Sequence, residues 1–155
     1  MKFICSLITV KDINKSREFY EKILKQKVKY DFGENVTFKG DFSIHLESHF
    51  QKLINNSKIL HGGNNFELYF ETDNLEDIEK ELRQNNIEFI HEIYEQPWRQ
   101  KVMRFYDPDR NIIEIGESME VLSYRLYKEG LKIEEIKNYL QISEEFIRDS
   151  INKFK

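Results

Sequence analysis

The sequence is poor in cysteine, proline and glycine, and it lacks long apolar runs and a basic surplus. It contains one cysteine, two prolines and six glycines in 155 residues. The single cysteine, Cys5, excludes an intramolecular disulfide framework and favours a cytoplasmic protein. No apolar run approaches the length that crosses a membrane, and the first residues lack the apolar core of a signal peptide. The net charge of −4 gives no basic surplus with which to bind nucleic acid.

Enough apolar residues are present for a core, because 39% of the chain is hydrophobic and 14% aromatic. Apolar residues alternate in some stretches and recur with helical spacing in others. Together these patterns predict the order β-α-β-β-β, a linker over 48–64, and then the same order again. The repeat rests on element order, since the residues of the two halves match only weakly. The predicted fold class is α+β.

The individual elements follow from the same periodicity. Asp12 and Asp73 are expected to cap the two helices of the repeat. Strands are predicted over 3–10, 28–32, 35–38, 42–47, 66–71, 87–93, 101–106 and 112–115. The tail, residues 118–155, is predicted to form three short amphipathic helices, of which the first ends near Gly130 and the third is capped by Ser143.

The stretch with the clearest turn signal lies near the end of the second half. Asp107-Pro108-Asp109 has the residues of a tight turn, and apolar runs flank it on both sides, so a hairpin is predicted. Glu114 lies within the second apolar run and shares a strand face with Gly116. A carboxylate there is solvated, paired with a cation, or functional.

Three stretches resemble the vicinal oxygen chelate superfamily, which includes glyoxalase I, bleomycin-resistance proteins and extradiol dioxygenases. Val10-Lys11-Asp12 followed by Phe19-Tyr20 is similar to its opening, Glu67 to Asp73 to the start of its second module, and Arg104 to Asp109 to its closing hairpin. The resemblance covers roughly residues 3–118. It implies two βαβββ modules that form a curled half-barrel around a cavity, followed by a C-terminal three-helix extension.

The resemblance also sets the expected domain organisation. A glyoxalase-like domain is expected over 1–117, with modules at about 1–47 and 65–117, and a helical extension over 118–155. The sequence departs from the family at Arg110, where glycine usually follows Asp-Pro-Asp. Either Arg110 adopts left-handed backbone, at a cost of about 1 kcal/mol, or Asn111 takes that conformation.

The resemblance implies a candidate metal site at one position on the first and one on the last strand of each module. Those positions are Cys5, His45, Glu67 and Glu114, and strand alternation, counted separately, places each on the less apolar face. Such a set suits Zn²⁺, Ni²⁺, Mn²⁺ or Fe²⁺, and Glu67 or Glu114 would be the catalytic base of a glyoxalase-type lyase or isomerase.

Ordinary structural roles are alternatives for the same residues. Cys5 stands where histidine is usual, and a lone cysteine on a strand is most often a small core residue. Arg104 lies on the preceding strand and would form a structural ion pair with Glu67 or Glu114. Dioxygenase chemistry is disfavoured, because its iron site needs two histidines and a carboxylate and only Glu114 fits that pattern.

A ligand-binding wall is predicted beside the hairpin. Trp98 is the only tryptophan, and with Tyr69 it would offer stacking surface, while Arg99 or Arg104 would hold an anionic group. The alternative is a loop over residues 95–100 that folds onto the hairpin without contacting a ligand.

The tail resembles a helix-turn-helix, but its last helix carries as many acidic as basic residues. DNA binding is therefore disfavoured, and a packing or dimerisation role is expected. The family resemblance also implies a homodimer.

Two functions stay open at this stage. One is a metal-dependent lyase or isomerase acting on a small oxygenated molecule. The other is a metal-free protein that binds a small molecule, as resistance-type members of the superfamily do. A measurement of bound metal would distinguish these two functions.

Overall fold

The structure, a computed structural model, describes all residues from Met1 to Lys155. The strands are β1 (Ser6–Val10), β2 (Val28–Asp31), β3 (Asn35–Phe38), β4 (Phe42–Leu46), β5 (Glu67–Thr72), β6 (Phe89–Glu95), β7 (Lys101–Tyr106) and β8 (Ile112–Glu117). The helices are α1 (Ile13–Glu18), continued by a π-helical turn (Phe19–Ile23), α2 (Glu47–Leu53), α3 (Leu75–Gln84), α4 (Met119–Lys128), α5 (Ile133–Leu140) and α6 (Glu144–Phe154).

The strands form two four-stranded sheets. The first has the order β1-β4-β3-β2, with β1 parallel to β4 and the other pairs antiparallel. The second has the corresponding order β5-β8-β7-β6. The predicted α+β class, with two βαβββ modules and a three-helix tail, is confirmed. No helix has both the length and the apolar character needed to span a bilayer.

Several element boundaries differ from the prediction. β1 begins at Ser6, whose partner is Phe42 at the start of β4, so residues before Ser6 have no opposing strand and Cys5 lies outside β1. β6 begins and ends two residues later than predicted. The helix α2 occupies the start of the predicted linker, where Glu47 in the first turn suits the helix dipole.

Contacts divide the chain into two compact units. The first unit comprises Met1–Leu68, Gln84–Glu88 and Phe105–Ile113. The second comprises Tyr69–Arg83, Phe89–Arg104 and Glu114–Lys155. The domain boundary expected between residues 117 and 118 stays a prediction.

The first unit has an aromatic core. Tyr20, Phe38 and Phe42 are at most 4% exposed, and their ring centroids lie 4.8 to 5.5 Å apart. Phe19 makes an edge contact with Phe105 at 6.5 Å. Asp12 accepts hydrogen bonds from the backbone N–H groups of the next helical turn and begins α1, as predicted. The cap and the apolar face together place Tyr20 inside the unit.

Asp107, in the β7–β8 turn, is the polar centre of this unit. Its buried carboxylate accepts hydrogen bonds from the Tyr20 hydroxyl at 2.9 Å, from the Asp109 N–H at 2.9 Å, and from both the backbone and side-chain nitrogens of Asn111 at 2.8 Å. Burial raises the pKa of Asp107 above its usual value, and these hydrogen bonds oppose that rise. Arg110 has φ = +67°, so it, rather than Asn111, takes the left-handed conformation.

In the second unit the tail has a core of its own. Leu122, Leu126, Ile136, Ile147 and Ile151 form one buried cluster from all three tail helices. Complete burial of one such side chain contributes on the order of 2 kcal/mol. Ser143 caps α6 by accepting a hydrogen bond from Phe146 N–H, as predicted, and Gly130 follows α4 with φ = +103°.

The tail is joined to β8 by an ion pair. Arg125 on α4 donates to both carboxylate oxygens of Glu117, at 2.6 and 3.1 Å, and Glu117 is 3% exposed. Burial lowers the pKa of Arg125, but the neighbouring carboxylates of Glu117 and Glu129 outweigh burial and hold that pKa above its usual value.

We predict that Tyr20→Phe lowers the free energy of unfolding by about 1–2 kcal/mol, because it removes one donor from a buried carboxylate. Tyr30→Phe is the matched control, since Tyr30 is 55% exposed and makes no such bond; its effect should stay within about 0.5 kcal/mol. Urea unfolding followed by circular dichroism measures both. Equal effects of the two substitutions would contradict this role of Asp107.

Candidate functional site

Glu114 is almost fully buried on β8 and is paired with an arginine. It is 5% exposed, and one of its carboxylate oxygens forms an ion pair with the guanidinium of Arg104 on β7. Another nitrogen of Arg104 lies 3.3 Å from Nε2 of His91. Nδ1 of His91 lies 2.9 Å from the Glu92 carbonyl, so that nitrogen carries the proton and Nε2 accepts from Arg104. The structural ion pair that the sequence offered as an alternative role for Arg104 is therefore present, with Glu114 as the partner.

Tyr69 is held on the same sheet by a buried glutamine. Gln100 donates from Nε2 to the Tyr69 hydroxyl at 2.7 Å and to the Glu117 carbonyl at 2.9 Å. The Tyr69 hydroxyl donates in turn to Glu71 at 2.8 Å. Partial burial, followed by the adjacent Glu71, raises the pKa of Tyr69 to about 12, so it is a neutral hydrogen-bonding group at pH 7.

Gly116 makes this arrangement possible. A Cβ at that position would lie 2.9 Å from Nε2 of Gln100, which is closer than real Cβ atoms approach, and 3.1 Å from the Tyr69 hydroxyl, which is tighter than most real contacts. Gly116 and Glu114 lie two residues apart on β8 and so share a face. We call the group formed by Tyr69, His91, Gln100, Arg104 and Glu114 the polar face.

Trp98 and Arg99 directly precede Gln100 in the sequence but have different partners. Trp98 is 50% exposed, and its indole N–H donates to Oε1 of Gln100 at 3.3 Å. Gln100 thus connects the two predicted wall residues, Trp98 and Tyr69. Arg99 is turned toward carboxylates, with ion pairs to Glu95 at 2.7 Å and Glu129 at 2.5 Å. Anion binding by Arg99 stays a prediction, and it would have to displace these partners.

The remaining predicted metal ligands lie in the first unit. Sγ of Cys5 lies 3.5 Å from the Ser43 hydroxyl. His45 is 6% exposed; its Nδ1 accepts from Asn35 at 3.1 Å, so its Nε2 donates to Nδ1 of His49 at 2.8 Å. Burial, with a smaller effect of His49, lowers the pKa of His45 and keeps the imidazole neutral at pH 7.

Glu67 lies at the start of β5 with an exposed side chain. It lines a surface cavity of about 340 Å³ with Asn64, Asn65, Phe66 and Ile112. This carboxylate is therefore open to solvent, unlike that of Glu114.

The side chains as they stand do not fit a divalent metal ion. Sγ of Cys5, Nε2 of His45 and the carboxylate of Glu114 each have a partner within the protein. No group of three or more histidine, cysteine, aspartate or glutamate side chains is arranged to hold an ion. The predicted ligand set of Cys5, His45, Glu67 and Glu114 stays a prediction.

Sequence reasoning missed the residues that organise the polar face. Gln100 and Gly116 carry no motif, and their roles depend on contacts between residues 31 and 17 positions apart. The one available signal is Gly116 itself, because glycine within a strand often marks a close approach of another group. The contact of His45 with His49 is also not predicted by the sequence, because His49 falls within the predicted linker over 48–64.

Comparison with known proteins gives one family. The model of the glyoxalase-like domain matches residues 3–120, about three quarters of the chain. Residues 121–155 lie beyond that match. No curated protein matches the chain.

Similar solved structures give the same fold. A protein of unknown function from Agrobacterium tumefaciens str. C58 is 36% identical, with a TM-score of 0.70 over 77% of this chain and 95% of that chain. A lactoylglutathione lyase from Agrobacterium tumefaciens is 18% identical, with a TM-score of 0.59 over 76% of this chain and 93% of that one. A glyoxalase/bleomycin resistance protein/dioxygenase from Nocardioides is 16% identical, with a TM-score of 0.61 over 76% and 83%. The last two likenesses show the fold alone.

We predict that Gly116→Ala displaces Gln100 and breaks its bond to Tyr69, with a loss of about 1–3 kcal/mol of stability. The Trp98 emission spectrum should shift, because the indole N–H loses its acceptor. Gly40→Ala is the matched control, since nothing lies closer than 3.6 Å to its added Cβ. An unchanged emission spectrum in Gly116→Ala would contradict the close approach.

Proposed function

The chain belongs to the glyoxalase-like domain family, within the vicinal oxygen chelate superfamily, and on that premise we propose that it binds a small oxygenated molecule at the polar face without a resident divalent metal. The observation that carries the proposal is the ion pair between Arg104 and Glu114. Of the two functions left open by the sequence, this is the metal-free one.

The ion pair places a permanent positive charge where a metal ion would have to bind. A guanidinium stays protonated at any physiological pH, so it cannot release Glu114 by losing a proton. A divalent ion on the same carboxylate would be repelled by Arg104 and would leave that guanidinium without its partner. Breaking a buried ion pair in this way costs about 3–5 kcal/mol.

The chemistry of the polar face favours a ligand with carbonyl or hydroxyl oxygens. Tyr69 is neutral at pH 7, and the charge of Arg104 is balanced by Glu114. A strongly anionic ligand would compete with the buried Glu114 for Arg104 and would leave that carboxylate unpaired. A neutral ligand oxygen can take the phenol proton of Tyr69 in place of the exposed Glu71, which leaves the ion pair undisturbed.

We predict that the purified protein, grown with added zinc, nickel, manganese and iron, holds less than about 0.1 equivalent of metal by mass spectrometry, because Arg104 occupies Glu114. Arg104→Gln removes the competing charge, so its metal content after dialysis against zinc should exceed that of the wild type. Arg110→Gln is the matched control, because Arg110 pairs with the exposed Glu88 at 2.6 Å and neither residue belongs to the polar face.

The same preparations test ligand binding. Thermal shifts by small carbonyl and hydroxyl compounds should persist in EDTA and weaken in Tyr69→Phe. Stoichiometric metal in the wild type that is lost in Glu114→Gln would contradict the proposal and support the metal-dependent lyase or isomerase. Absence of any shift across the panel would count against small-molecule binding itself.

A homodimer is part of the proposal. β1 is an edge strand, and Phe3 and Ile4 just before it are 76% and 66% exposed. An exposed strand edge with apolar neighbours is a template for pairing with another chain.

We predict that Ile4→Glu shifts the wild-type dimer to monomer in sedimentation velocity. Leu60→Glu, at an apolar site 80% exposed in the loop after α2, should leave the dimer unchanged. A monomeric wild type, or an unchanged Ile4→Glu dimer, would contradict this.

A further inference from the structure

A second cavity lies where the tail meets the β6–β7 loop, and none of its lining residues belongs to the polar face. Its volume is about 500 Å³, within the range of small-molecule sites. We call it the tail groove; it is lined by Pro97, Trp98, Met119, Leu122, Tyr139 and Leu140. Leu122, Tyr139 and Leu140 lie beyond the residues that match the family, so the groove depends on the part of the chain outside the glyoxalase-like domain.

The walls of the tail groove are fixed by the fold. The Tyr139 hydroxyl donates to the Pro97 carbonyl at 3.1 Å and holds α5 against the loop. Leu122 is 1% exposed and belongs to the buried core of the tail. A ligand would therefore meet a largely pre-formed surface.

Two aromatic rings in the groove are open to a ligand. Trp98 and Tyr139 are 50% and 48% exposed, whereas most of the remaining apolar lining is better covered. The indole N–H of Trp98 is already bonded to Gln100 and the Tyr139 hydroxyl to Pro97. The rings rather than their polar atoms are thus available, and rings prefer stacked or edge contacts with another aromatic system.

The charged groups that follow Trp98 in space pair with one another. Arg99 follows Trp98 in the chain, and it pairs with Glu95 and Glu129, both of which also pair with Arg125. Arg125 pairs in addition with Glu117. Three carboxylates thus face two guanidinium groups, so both guanidinium groups are occupied and this cluster has a net negative charge.

We propose that the tail groove is a binding site for an uncharged, flat aromatic molecule. Its size, its two exposed rings and the paired charges beside it all favour such a ligand. The site does not depend on the function proposed for the polar face, because it uses different side chains.

The experiment compares two fluorescent probes of nearly the same ring skeleton with the full-length protein. N-phenylnaphthylamine is uncharged, and anilinonaphthalene sulfonate adds one negative charge. We expect saturable binding of the uncharged probe, with energy transfer from Trp98. Binding of the sulfonate should be at least about tenfold weaker, because Arg99 and Arg125 are already paired with carboxylates.

Variants locate the probe. Tyr139→Ala should weaken binding of the uncharged probe by about 2- to 10-fold, as expected for loss of one aromatic contact, and Trp98→Phe should retain binding while abolishing the energy transfer. Tyr30→Ala removes a similarly exposed tyrosine in the first unit and should leave affinity unchanged. Circular dichroism verifies that each variant is folded.

Four kinds of result would overturn the proposal. One is the absence of saturable binding of the uncharged probe. Another is binding that is equally strong for the sulfonate or unaffected by Tyr139→Ala. The third is probe affinity that falls as the protein associates in sedimentation, which would assign the groove to a second copy of this chain. Binding that also disappears in Arg104→Gln would place the probe at the polar face instead.

Discussion

The buried carboxylate of Asp107 is the interaction on which the hairpin and the first helix both depend. A carboxylate removed from water needs several donors, and Asp107 has four, from the Tyr20 hydroxyl, the Asp109 N–H and two nitrogens of Asn111. These bonds fix the turn between β7 and β8 while they anchor the π-helical turn that continues α1. The strain at Arg110, whose backbone is left-handed, is small beside the cost of leaving such a carboxylate unsatisfied.

The same rule governs the two buried glutamates of the second unit, with guanidinium groups as donors. Glu114 has Arg104 as its partner, and Glu117 has Arg125. Such pairs add little net stability compared with apolar residues, but removal of one partner is costly, so they specify which elements meet. The pair at Glu114 determines the chemistry of the polar face, and the pair at Glu117 joins the tail to β8.

Periodicity and capping residues predicted most of the fold, because they depend on neighbours a few positions away. Asp12 and Ser143 cap their helices as expected, and β7 has the predicted ends. β1 was predicted too long, because the pairing partner that limits a strand is invisible in its own sequence. The site was less predictable for the same reason. Arg104 had two candidate partners in the sequence, and its pairing with Glu114 becomes visible only in the fold, while the role of Gln100 comes from residues distant in the chain.

The position of Trp98 affects how unfolding of this protein is observed. It is the only tryptophan, and it lies beside the tail rather than in the aromatic core around Tyr20. Its emission therefore reports local opening of the second unit and does not respond to structural changes in the core of the first. Denaturation curves from fluorescence and from circular dichroism will coincide only where the two units lose structure together, so their separation measures the cooperativity between the units.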